Sequence, residues 1–195
     1  RSSFSQPILR SNMLSEPINS ALEWLFATRA PSEVEDKARL LVLDTIGCVL
    51  AASDKAEPQA IAQRLADFDP GSCAVPGFRV RLSASAAAAQ FAASACWDEA
   101  CEGLARAHGR PGVPVLAAVS AVAQAQDRTL GELLDALVVG YETGARIGTA
   151  LRIAPGMHVD ATWPCFGVAA AMVRVAGGTA QQAAQAIAIA ACQMP

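Results

Sequence analysis

Blocks of alanine constrain this chain most. Residues 84–95 read ASAAAAQFAASA and residues 180–191 read AQQAAQAIAIAA. Alanine has the best helix propensity and is poor strand material, and its small side chain lets helices lie close together. A chain built on such blocks is expected to be all-α, a multi-helix bundle of packed helical hairpins. Charged residues make up only 17% of the 195, against 53% hydrophobic, whereas soluble domains carry about 25% charge. The surplus apolar surface is expected to be covered, by a partner subunit or by further chain.

The same figures exclude several classes. High hydrophobicity with little charge excludes an intrinsically disordered chain. Fifteen Lys and Arg against 18 Asp and Glu leave a net charge of -3, so no overall field attracts a polyanion and no nucleic-acid partner is expected. The longest apolar stretches, 114–123 and 166–178, fall short of the ~20 residues of a membrane-spanning helix, and Arg174 interrupts the second. The polar N-terminus lacks the apolar core of a signal peptide, so a cytoplasmic location is expected. Six cysteines, at 48, 73, 96, 101, 165 and 192, form no CxxC pair. All six are read as reduced core residues, and no metal site is expected.

Residues 1–17 read as an N-terminal arm and 18–195 as one all-helical domain. Ile18, Leu22, Leu25 and Phe26 share a helical face, and Pro31 ends that run. Ser32 with Glu35 is a capping-box pattern opening a second helix. The apolar second half of that helix predicts a central position, with Gly47 where a neighbour crosses closely. A third helix follows Pro58. Residues 73–82, around Pro76-Gly77, read as a short hairpin or ordered loop. The Ala-rich helix is expected over roughly 84–100, the next over 115–126. Thr129 with Glu132, and Thr179 with Gln182, are capping boxes for the helices towards Ala150 and over 180–192. About eight helices result.

The two histidines, His108 and His158, fall in the two Gly- and Pro-containing breaks, 103–114 and 153–165. Two readings stay open. Each imidazole is a half-buried loop group satisfied by backbone, or both face a shared cleft. Loops on a rigid scaffold are where catalytic groups concentrate, and imidazole transfers protons near neutral pH. Arg106 and Arg110 flank His108 and have the fork geometry that grips a carboxylate. Asp98 and Glu99 sit at the end of the Ala-rich helix with Glu102 one turn on, so Asp98 and Glu102 are an i,i+4 acidic pair that shares a face. Tyr141, the one tyrosine, sits inside a helix where its hydroxyl reaches a buried partner or the site. Trp163 beside His158 reads as packing.

These residues together resemble the MmgE/PrpD family, whose members include 2-methylcitrate dehydratase, cis-aconitate decarboxylase and iminodisuccinate epimerase. KARLLVLDTIGCVLAA at 37–52 resembles the family's early helix with its Asp-Thr-x-Gly. Asp98 followed by His108 resembles its Asp-x-Asp-Asp…His-Pro segment. VPVLAAVSAVAQ at 113–124, LLDALVVGYETGARIG at 133–148 and HVDATWPCFGVAAAMVRVAGGTAQQAAQAIAIA at 158–190 resemble the helix after the first histidine, the Gly-Tyr-Glu…Arg helix and the second histidine loop with its following helices.

The resemblance implies that His108, His158 and Asp98 belong to an active site, with Arg106, Arg110, Glu102 and Tyr141 as candidate substrate contacts. It implies a cofactor-free lyase or isomerase acting on a small di- or tricarboxylate, and a homodimer. It further implies a second, α+β domain and two catalytic lysines beyond residue 195, so that residues 1–195 alone are expected to be inactive. Departures mark a divergent member. Ala100, Cys101 and Glu102 replace Asp, Asp and Thr, Gln90-Phe91 replaces Asn-Gly, and Ala95 replaces a histidine. Gly109 replaces Pro after the first histidine, and Pro164 stands where a Gly is usual. Dehydration by proton abstraction next to a carboxylate is the first expectation. Epimerisation or decarboxylation in the same scaffold, and a non-catalytic helical subunit, are the alternatives.

Overall fold

Cooperative helices start where a side chain or proline can satisfy or spare the first orphan amides. The computed structural model describes residues 14–193, and the predicted arm lies largely outside them. Eight α-helices run through these residues: α1 Glu16–Ala27, α2 Ser32–Ser53, α3 Ala56–Phe68, α4 Ala84–Ala95, α5 Gly112–Ala125, α6 Leu130–Ala150, α7 Pro164–Val175 and α8 Ala180–Ala191. The fold is all-α, as the alanine blocks dictate. Strand β1, Pro70–Cys73, and its antiparallel bridges to Leu82 make a miniature hairpin within 70–82. No helix among the described residues is long and apolar enough to cross a membrane.

Both boxes predicted at Thr129/Glu132 and Thr179/Gln182 form with reciprocal bonds. The one predicted at Ser32 does not. The Pro31 carbonyl accepts from the Val34 and Glu35 amides, so Pro31 is the cap and Ser32 is already helical. Glu35 turns instead to Arg29, which donates to it at 3.2 Å.

The central helix is α5, not α2. It carries no charge from Gly112 to Ala125 and buries Val113, Val115, Leu116, Ala117, Val119, Ala121 and Ala123. Helix α2 alternates its leucines with Glu33, Glu35, Asp36, Lys37, Arg39 and Asp44 and buries only one face. Leu40, Leu50 and Leu43, the last 67% exposed, stay bare, as does Phe68 of α3. No neighbour crosses at Gly47, where an added Cβ would meet nothing within 4 Å. The close crossing lies between α6 and α7. A Cβ on Gly167 would stand 2.5 Å from the Gly140 carbonyl oxygen, so the two backbones touch there. Of the cysteines, only Cys73 is buried; Cys192 is exposed, against the expectation that all six are core, and all six are free thiols.

A large apolar core centres on α4, α5 and α6. A second gathers Leu22, Val139, Phe166, Ala170, Ala183 and Ile187 around Trp163. The two histidine-bearing breaks leave the bundle beside this second core.

Candidate active site

The first break runs from the end of α4 to the start of α5. Helix α4 stops at Ala95, and Glu99 has φ 55°, a left-handed backbone that no helix continues through. Asp98 and Glu102 therefore do not share a helical face. Further on, the Leu104 amide donates to the Gly109 carbonyl at 2.8 Å, closing a small loop around a single 3-10 turn, Ala105–Ala107. His108 stands at its tip with φ 52° and ψ 41°. That conformation costs an L-residue about 1–2 kcal/mol and persists only where its surroundings impose it. Gly109 has no room for a side chain, since a Cβ would lie 2.6 Å from the Trp163 ring. A glycine rather than the family's proline thus fits the slot that Trp163 occupies.

The second break joins α6 to α7. Gly156, with φ 88°, makes a turn closed by the Met157 amide on the Ala154 carbonyl at 3.2 Å. His158 has ordinary extended backbone, and a 3-10 turn, Val159–Ala161, follows it. Trp163, 0% exposed, anchors the segment. Its indole fits between Gly109 and Gly148, where a Cβ would come within 2.4 Å of the ring. Pro164 then opens α7, a position where its missing N–H is not needed.

Both imidazoles line one open cavity of about 910 Å³. Arg106 and Arg152 line it too, and no carboxylate does. Two arginines and two histidines, all four exposed, thus line a space large enough for a small polyanion. Arg110 faces a neighbouring depression shared with His108 and Asp160. Its guanidinium is already paired with Glu99. That hydrogen bond holds the Glu99 carboxyl below the usual range, with His158 adding a smaller effect in the same direction, and it pushes Arg110 up.

Asp98 is ion-paired with Lys55 and lies outside this cavity, its side chain 44% exposed. Glu102 and Tyr141 meet elsewhere. The Tyr141 hydroxyl donates to Glu102 Oε2 at 3.3 Å, and the Gly112 amide donates to Glu102 Oε1 at 2.6 Å. Both residues line a separate, mostly apolar cavity of about 610 Å³ between α2 and α6. Burial raises the Glu102 carboxyl, and burial beside Glu102 pushes the Tyr141 phenol up to about 12. The structure therefore brings His108, His158 and Arg106 together, gives Glu102 and Tyr141 to a second cavity, and leaves Asp98 and Arg110 in ion pairs. Arg152 lines the cavity and Asp160 bonds the Arg110 amide, neither with a sequence signature. Asp160 lies in the same Gly/Pro break as His158 and Arg152 just before it, but neither residue type there marks a site by itself. Among the described residues, no group of three or more His, Cys, Asp or Glu is placed to hold a metal ion.

Two inter-helix loops of the all-α bundle thus bring two histidines and two arginines to one cavity. The family described as MmgE/PrpD N-terminal domain matches residues 22–195, and the chain belongs to the MmgE/PrpD family. It is similar to the cis-aconitate decarboxylase-like protein oryM of Aspergillus oryzae, 29% identical over 175 residues, which cover 84% of this chain and 36% of that protein. It is also similar to the cis-aconitate decarboxylase of Aspergillus terreus, 30% identical over 173 residues, covering 84% of this chain and 35% of that protein. The chain thus spans about a third of the length of these curated relatives. No solved structure matches significantly.

Proposed function

We propose that this domain supplies the carboxylate-binding, proton-transferring part of a lyase acting on a small di- or tricarboxylate. The observation that carries the reading is the cavity where His108, His158, Arg106 and Arg152 converge without a lining carboxylate. Arg106 and Arg152 are placed to hold substrate carboxylates, bidentately where the fork permits. One imidazole then takes the proton from the carbon beside a carboxylate. The other protonates the departing hydroxyl or supports the enolate-like charge that develops. Asp98, paired with Lys55 and outside the cavity, is assigned no step in this reading.

Decarboxylation in the same cavity is the second reading, favoured by the two relatives named as cis-aconitate decarboxylase proteins. There the C–C bond to a carboxylate breaks, its electron pair stays on carbon, and an imidazolium returns a proton to that carbon. The test is an assay of residues 1–195 beside a chain extended to the length of the relatives. The panel holds β-hydroxy and unsaturated di- and tricarboxylates. Water loss, carbon dioxide release and solvent proton exchange are followed separately. Turnover is expected only from the longer chain and is expected to vanish in His108→Gln and His158→Gln. Full activity in both histidine variants sinks the reading.

A further inference from the structure

We infer that Asp160 is the positioning residue that ties the two histidine segments together and thereby sets His158 against His108. The inference rests on the reading that both imidazoles serve one site. Asp160 Oδ1 accepts from the Arg110 backbone amide at 3.1 Å. Among the described residues this is the one hydrogen bond between the two segments, which lie fifty positions apart with α5 and α6 between them. Donor and acceptor each stand two residues after a histidine. On one side, Asp160 sits within the 3-10 turn whose Ala161 amide bonds back to the His158 carbonyl at 3.2 Å, so Asp160 and His158 move as one piece. On the other side, Arg110 follows the strained His108–Gly109 corner, and its guanidinium is held by Glu99.

The segments also pack through the Trp163 ring against Gly109, within an apolar cluster that includes Leu104, Ala107, Ile153 and Val159. Apolar packing of this kind resists separation but is not directional, so small lateral shifts cost little. A directional bond to the backbone removes that freedom, and cooperation of two acid–base groups is lost with a misplacement of about 1 Å. The Arg110 amide has this one acceptor among the described residues. Asp160 touches neither imidazole through a hydrogen bond. Its effect is on where they stand.

The test reads the imidazole resonances of His108 and His158 by NMR in the full chain, in Asp160→Ala and Asp160→Asn. Both substitutions remove the charge, but Asn keeps a carbonyl oxygen that accepts from Arg110. Asp160→Ala is expected to shift both imidazoles, including His108 on the other segment. Asp160→Asn is expected to restore the parent positions apart from a common charge effect. A role confined to the stability of α7 would lower the unfolding midpoint without this Ala/Asn split. An unmoved His108 in Asp160→Ala, or equal shifts in both variants, overturns the inference. Should Asp160→Ala not fold, the parent chain decides, because a bonded Arg110 amide exchanges slowly with solvent and a free one exchanges at once. None of these readouts needs turnover, so they stand or fall apart from the lyase reading. Where turnover is found, kcat in Asp160→Ala is expected to fall about 10- to 100-fold, with KM changed less and Asn largely restoring it.

Discussion

The two histidine segments reach the same cavity by opposite means. The first holds His108 in a left-handed backbone and closes its loop with the Leu104–Gly109 bond. Glu102 ties its root to the start of α5 and to Tyr141 on α6. The second carries His158 on relaxed, extended backbone and is held to the first by one buried ring, Trp163, and one side-chain bond, from Asp160. The first imidazole is aimed by the main chain, at a cost in strain. The second is aimed by side chains at little conformational cost, so its direction depends on those side chains being present.

Removing the foot of the second segment should have the largest effect. Trp163→Ala deletes the largest fully buried side chain, and such a truncation costs about 3–5 kcal/mol. Denaturant unfolding measures the loss. Amide exchange should show the second segment, 151–163, opening far more than the Leu104 amide in the first. A loss below about 1 kcal/mol, typical of a surface substitution, would mean that Trp163 is not the anchor. Filling the slot from the other side, with Gly148→Val, should displace the same ring, since a Cβ there already overlaps it.

The root of the first segment should respond to pH. Burial raises the Glu102 carboxyl, so the folded chain keeps its proton at pH values where the unfolded chain has released it. Its contribution is complete below the ordinary carboxylate range and is lost as pH rises through the raised value. Glu99 and Glu132 are shifted the other way, by Arg110 and by the Thr129 cap respectively, and lose stability as pH falls. Glu102→Gln keeps an acceptor for Gly112 and cannot ionise. Subtracting its unfolding free energy from the parent's should leave a difference that declines with rising pH above the ordinary carboxylate range. A flat or rising difference contradicts the burial argument.

Much of this arrangement is legible in the residues, and what is not has physical causes. Helix starts at Thr129 and Thr179 could be read because a capping box is local chemistry. Ser32 could not, because the geometry of Pro31 decides which carbonyl takes the first helical bonds. The apolar second half of α2 suggests a central helix, yet α5 is the enclosed one. The charges spaced through its first half, against none in α5, were the better guide to which helix is enclosed. The placing of both histidines in breaks was visible. The turn of Glu99 into left-handed backbone was not, and with it went the shared face of Asp98 and Glu102. Arg152 reaches the cavity and Asp160 reaches Arg110 only through tertiary contact, which no local pattern encodes.

The contrast in backbone strain yields the smallest and sharpest test. His108 and His158 are each replaced by Ala and by Gly, so that all four variants lack the imidazole. At position 108, with φ 52°, Ala keeps the left-handed penalty of about 1–2 kcal/mol and Gly escapes it. Gly pays more entropy on folding, about 0.5–1 kcal/mol, which leaves His108→Gly the more stable of its pair by up to about 1.5 kcal/mol. At position 158 the backbone is relaxed, no penalty offsets that entropy, and His158→Ala should be the more stable by about 0.5–1 kcal/mol. The order therefore reverses between the two sites. Chemical denaturation of the four chains reads it directly, and the same order at both positions would show that main-chain strain does not aim the first imidazole.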